Sequence, residues 1–138
     1  LQSNESQSVS LREEMEFASA YIFLLKMRFE NNLQFDIQIA KSFEDYRLPP
    51  MAVQVLIENA VKHNEISDRK PLTIHIVTNN EGYLSVSNDI QPKRTAASGT
   101  GIGLVNLAKR YRLLFKQDIQ ITEDKEFSVC IPLIDEVQ

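Results

Sequence analysis

The chain has 138 residues, 43% of them hydrophobic, and its 19 acidic residues outweigh 15 Lys and Arg to give a net charge of −4. That size and apolar content suit one globular domain with a real core, and the acidic balance argues against nucleic acid as a partner. No apolar run approaches the roughly 18 residues that a membrane span needs, there is no signal peptide or internal repeat, and one Cys with two separated His excludes an internal disulfide or a clustered metal site.

Residues 1–9 are polar and Ser-rich and read as the end of an upstream element or a frayed terminus, with the domain itself spanning 10–138. Ser10 and Glu13 form a capping box. Leu11, Met15, Ala18, Ile22, Leu25 and Phe29 then recur at spacings of three and four, predicting one long helix whose stripe packs on a sheet. So regular a seam also suits pairing with another helix, including one from a second subunit. Leu33 to Ala40 alternates as a strand does. Pro49 and Pro50 open the next helix, in which Val53, Leu56, Ile57, Ala60 and Val61 take one half of the cylinder and Gln54, Glu58, Asn59, Lys62 and His63 the other, at about 100° per residue.

That polar stripe is the first candidate site. A solvated face is its ordinary explanation, but Asn is a weak helix former. A carboxylate beside a carboxamide, with a cation one turn on, suits phosphate oxygens and a hydrated Mg²⁺, which takes oxygen ligands and keeps several waters. Asn59 would supply the metal oxygen and Lys62 would face phosphate.

Leu72 to Thr78 and Gly82 to Asn88 read as paired strands joined through Asn79 to Gly82. Asp89 to Ser98 lacks apolar periodicity and is a lid candidate, whose Lys93 and Arg94 would face either phosphate or solvent. Three of the four glycines then fall at Gly99, Gly101 and Gly103, just where Leu104, Leu107, Ala108, Tyr111, Leu114 and Phe115 begin a helical repeat. Glycine lets backbone approach a ligand, and the free N–H groups of a helix start favour an anion. The spacing is neither a P-loop nor a dinucleotide fingerprint, and a flexible turn explains it equally well. Asp118 to Thr122 and Phe127 to Leu133 close the chain as a hairpin, giving an α/β two-layer sandwich, a mixed sheet with helices on one face. Cys130 is expected to pack as a small hydrophobe in a reducing cytoplasm.

Taken together, Glu58-Asn59-Ala60-Val61-Lys62-His63 and Gly101-Ile102-Gly103-Leu104-Val105-Asn106 resemble the asparagine box and glycine box of the GHKL (Bergerat-fold) ATP-binding domain, most closely that of LytS/YehU-type sensor histidine kinases. The resemblance covers Leu11 to about Leu133. It implies that ATP and Mg²⁺ are bound, with Glu58 and Asn59 catalytic, Asn59 on the metal, and Lys62, His63, Asn88, Asp89, Gly99, Gly101, Ile102, Gly103, Leu104 and Asn106 around the nucleotide. Arg110, one turn after Asn106, would either bind or be a surface cation. In most of the family a strand ends in Asp-x-Gly-x-Gly, whose aspartate accepts from the adenine amino group; here Asn88 holds that position and both glycines are missing. A carboxamide oxygen still accepts, more weakly than a charged one, and parity with Leu84 and Val86 turns Asn88 toward the helices. Asp89 is the acceptor if the register shifts by one.

The resemblance also implies a phosphate acceptor on an upstream dimerisation helix. His63 belongs to the asparagine box and His75 sits mid-strand, so this chain reads as a catalytic domain without its acceptor, unable to autophosphorylate alone. The implied partners are the dimerisation domain, a response regulator and a second copy in a homodimeric parent anchored in the bacterial inner membrane, with this domain in the cytoplasm and out of contact with lipid. A catalytically silent nucleotide-binding module and a protein-interaction domain of the same fold are the alternatives.

Overall fold

The computed structural model describes residues 7–93 and 101–136. The chain enters as a two-residue strand, β1 (Val9–Ser10), which pairs with β3 (Arg47–Leu48). Arg47 donates to the Ser8 hydroxyl at 3.1 Å and to the Ser8 carbonyl at 2.7 Å, so the chain is tied into the fold two residues earlier than position 10. α1 (Leu11–Phe29) starts on the expected capping box: the Ser10 hydroxyl accepts from Glu13 N–H and the Glu13 carboxylate accepts from Ser10 N–H, both at 3.1 Å. Its buried face is Leu11, Ala18, Ile22 and Leu25, with the carboxylate of Glu14 among them.

β2 (Leu33–Gln38), β4 (Leu72–Thr78), β5 (Tyr83–Asp89), β7 (Glu126–Pro132) and β6 (Gln120–Glu123) lie side by side in that order. β2 and β4 are parallel and the other neighbours antiparallel. A parallel pair needs a crossover, and α2 (Ala52–His63) lies within it; α3 (Ile102–Phe115) follows β5. Strand alternation sends Ile74, Ile76, Leu84, Val86, Val129 and Ile131 into the core, while His75, Ser85, Ser87 and Ser128 occupy the other face. Each such Leu or Ile removed from water contributes about 1.5–3 kcal/mol. The helices cover one face, as the expected two-layer sandwich requires.

One local expectation is corrected. Pro49 and Pro50 do not occupy the first turn of α2: Met51 intervenes as N-cap in the left-handed region, φ 70°, and helical geometry starts at Ala52. No helix among the described residues is long and apolar enough to cross a membrane.

Candidate functional site

The asparagine-box helix is held at both ends. At its start the buried Glu14 carboxylate, reaching across from α1, accepts from Met51 N–H and Val53 N–H, each at 2.9 Å. Met51 offers no side-chain cap, so an acid from another helix satisfies the free N–H groups of the first turn. Burial pushes the Glu14 carboxyl above its ordinary range, opposed by those backbone hydrogen bonds and by Arg110. Arg110 itself donates to the Pro50 carbonyl at 2.6 Å. It is thus neither a free surface cation nor a residue lining the cleft: it ties α3 to the start of α2.

At the far end Asn64 is buried, its Nδ2 donating to Ala60 O at 2.8 Å and its Oδ1 accepting from Gln91 N–H at 2.7 Å. Gln91 also donates to the carbonyls of Glu65 and Lys70, at 2.9 and 3.1 Å. The segment entering the expected lid is therefore stitched to the end of α2 up to the Asn64–Pro92 bridge.

Between these anchored parts lies a cleft of about 1140 Å³. The stripe Glu58, Asn59, Lys62 and His63 lines it, together with Gly101, Ile102 and Gly103 from the start of α3. Five cations, Arg28, Lys62, Arg69, Lys70 and Lys93, meet two carboxylates there, Glu58 and Glu65. The wall from α1 is Tyr21, Arg28 and Phe29, with the Arg28 guanidinium 4.7 Å from the Phe29 ring centre. Burial, and then the charge of Glu58, raise the Tyr21 hydroxyl above its usual value. A second cavity of about 420 Å³ adjoins the first, sharing Asn59, His63, Asn64, Pro92 and Gly101 and adding Ile90, Leu104, Glu123 and Phe127.

Gly101 caps α3 with φ 73°, a conformation that suits glycine. Gly103 has a different reason to be small, because a Cβ there would stand 3.3 Å from Val55 Cγ1 on α2. The first N–H groups of α3 have no intrahelical acceptor and belong to the cleft wall.

The structure brings together Glu58, Asn59, Lys62, His63, Gly101, Ile102 and Gly103 in the main cleft and Leu104 in the side cavity. Gly99, like Arg94, lies outside the described residues. Asn88 is buried on the helix-covered face, as parity required, but lines neither cavity. Its Nδ2 donates to Asp89 O at 2.7 Å, which leaves the carboxamide oxygen as the end that can receive a donor, and its cross-strand neighbour is Phe127 of the side cavity. The register is not shifted, for Asp89 is exposed with the opposite parity. Asn106 is exposed and lines neither cavity. His75 points to the other face of the sheet, Nδ1 2.9 Å from Asp36 Oδ2. Sequence reasoning missed the α1 wall, Arg69, Lys70, Phe127 and both anchors. Of these only Glu14 carried a local signal, an acid inside an apolar stripe.

Among the described residues no three His, Cys, Asp or Glu could hold a metal ion. That donor set fits an ion arriving with its own phosphate ligands and waters and taking one or two protein oxygens, as Mg²⁺ does; Asn59, with Glu58 beside it, is placed to give them.

No protein-family model matches the chain. Sensor protein LytS of Streptococcus mutans is 34% identical over 140 aligned positions, covering 90% of this chain and 24% of that protein. Sensor histidine kinase BtsS of Escherichia coli is 28% identical, covering 85% and 21%. The chain therefore spans about a quarter of the length of these relatives. Among solved structures, the nucleotide-free catalytic domain of histidine kinase ThkA superposes with a TM-score of 0.61 at 18% identity over 94% of this chain and 99% of that one. The cytoplasmic segment of histidine kinase QseC gives 0.64 at 9% identity, covering 94% and 78%. With 34% identity to LytS along 90% of its length, the chain belongs to the LytS family of sensor proteins, and its fold is the one found in solved catalytic domains of histidine kinases.

Proposed function

We propose that this domain binds ATP with Mg²⁺ in the cleft beside α2 and presents the γ-phosphate to a histidine outside the chain, as part of a two-component sensor kinase. The observation that carries the reading is the convergence of five cations on one cleft of a chain whose net charge is −4, next to a glycine-opened helix start. The triphosphate lies along Lys62 and the first N–H groups of α3, and the base enters the side cavity among Ile90, Leu104 and Phe127, with Asn88 behind it. Asn59 would hold the metal through its carboxamide oxygen, and the ion when bound would neutralise phosphate charge. Glu58 orients water or takes the acceptor proton, and His63 walls the pocket. In transfer, an N–P bond forms at the acceptor as the P–O bond to ADP breaks, and fixed cations and backbone N–H groups stabilise the equatorial oxygens. An acceptor outside the chain is supported by His75 facing away from the cleft and bonding Asp36. The parent is then a homodimer anchored in the inner membrane, whose acceptor domain and response regulator are the partners of this surface.

Calorimetric titration with a non-hydrolysable ATP analogue tests this. Metal-dependent binding is expected, together with a loss of at least tenfold in affinity in Asn59→Ala at unchanged unfolding midpoint; unchanged affinity in that variant would falsify the assignment. A second reading, a module that binds nucleotide without transferring it, is favoured by Asn88 lining neither cavity. Phosphohistidine formation in the full-length parent separates the two.

A further inference from the structure

The residues that line the side cavity without also lining the main cleft are Ile90, Leu104, Phe127 and Glu123. Three are apolar and the fourth carries a full charge. Among the described residues Glu123 is the one carboxylate in that cavity, and no described side chain is hydrogen-bonded to it. An ionised carboxylate accepts and cannot donate, and it repels phosphate, so this end of the cavity suits a ligand group that carries N–H donors.

Strand pairing explains how the carboxylate comes to be there. Glu123 on β6 lies opposite Phe127 on β7, and Phe127 lies opposite Asn88 on β5. The three therefore form one row on the helix-covered face, with neighbouring strands about 4.8 Å apart. An aromatic side chain, on which a base can stack, stands between two acceptors. The inner one, Asn88, is buried, donates Nδ2 to Asp89 O and lines neither cavity. The outer one, Glu123, is exposed on the edge strand and does line the side cavity. The Asn64 carboxamide at the same end is already engaged at both atoms, by Ala60 and Gln91. The phosphates have their own place: all five cations line the main cleft and none of them lines the side cavity. With the triphosphate beside those cations, the end that holds Glu123 meets the base.

We propose that Glu123 is the specificity-determining residue of the base subsite, its carboxylate accepting a hydrogen bond from the 6-amino group of adenine. The assignment rests on the ATP reading and goes beyond it by moving base recognition from the end of β5 to the edge strand β6. A charged acceptor makes the stronger hydrogen bond, so the hairpin carboxylate offsets the carboxamide that stands at Asn88.

Calorimetric titration of the 138-residue chain with Mg²⁺ is the test, using a non-hydrolysable ATP analogue and the same analogue with its 6-amino group removed. The native chain is expected to prefer the amino-bearing analogue about tenfold, the worth of one charge-assisted hydrogen bond. Glu123→Ala should bring the two within about twofold of each other without lowering affinity for the amino-free analogue. Glu123→Gln, whose carboxamide oxygen still accepts, should keep a preference of about threefold. The ratio is the readout because removing a negative charge draws in either triphosphate alike; thermal unfolding verifies the fold of each variant. Binding of neither analogue by the folded native chain overturns the ATP reading and this assignment with it. Where the ATP analogue binds, three results overturn the assignment alone: no preference in the native chain, a preference that survives Glu123→Ala and so belongs to Asn88, or a Glu123→Ala variant that weakens both analogues equally and so gives the carboxylate to the ribose hydroxyls.

Discussion

At the residue scale the informative side chain is Glu14, which serves the site without touching it. Its two oxygens take the first N–H groups of α2 while α1 buries it. A glutamine offers one acceptor and turns an N–H₂ toward a backbone donor, so Glu14→Gln should cost about 1–3 kcal/mol, read as a lowered urea midpoint at pH 7. Its pH dependence has a definite sign. The folded-state pKa is raised by desolvation above the ordinary glutamate value of 4.5, so the contribution is fully present below that value and is lost as pH climbs through the raised folded value. The native chain minus Glu14→Gln should show that component declining with rising pH across this window; a flat difference would mean that the carboxylate titrates as if unfolded. Asp36 runs the other way. The hydrogen bond from His75, its largest cause, holds its carboxyl below 3.8, so its contribution is present at neutral pH and disappears on acidification below that value. The pair is exposed and contributes little.

At the scale of elements, much of the architecture was legible because it is local. The capping box of α1, the 3.6-residue stripes of α1 and α2, and the alternation of β4 and β5 are properties of neighbouring residues, and the structure keeps them within a residue or two. What was not legible depends on contacts between distant residues. Nothing near Met51 announces that it caps α2 left-handed, because the acid that completes the turn lies 37 positions away. An L-residue with φ 70° is strained by roughly 1–2 kcal/mol, and Met51 is 45% exposed, so little packing is lost on truncation. Met51→Gly should therefore stabilise the chain by about 0.5–1 kcal/mol once the extra backbone entropy of glycine is subtracted, detected as a higher denaturation midpoint. Gly103 was legible as a site residue but for half of its reason. It lets α3 approach Val55, where a methyl would be tight at 3.3 Å. Gly103→Ala should leave global stability within about 1 kcal/mol, since alanine favours the helix, yet lower nucleotide affinity severalfold by displacing α3; Gly103→Ala with Val55→Ala should recover it, and a double variant as weak as the single one would assign the effect to the ligand side.

At the scale of the molecule, function depends on where charge is placed. A chain of net charge −4 repels polyanions at long range, so the cleft has to attract its ligand within about a Debye length, ~10 Å at 0.1 M salt. Lys62 supplies the one cation that helical periodicity could point out; Arg28 comes from the end of α1, Arg69 and Lys70 from the loop after α2, and Lys93 from beyond β5. Their convergence is a product of topology, which is why reading along the chain did not assemble them. If they bind the triphosphate as a cluster, affinity for an ATP analogue should fall about tenfold between 50 and 500 mM salt, as screened ion pairs do. Arg69→Gln with Lys70→Gln, both exposed, should lower affinity about 3–10-fold at 50 mM salt and flatten that dependence while leaving the unfolding midpoint within about 0.5 kcal/mol of the native chain. An affinity that ignores salt, or that the double variant leaves intact, would show that these cations serve a surface other than the phosphates, and would leave the backbone N–H groups of α3 and Lys62 to hold the nucleotide alone.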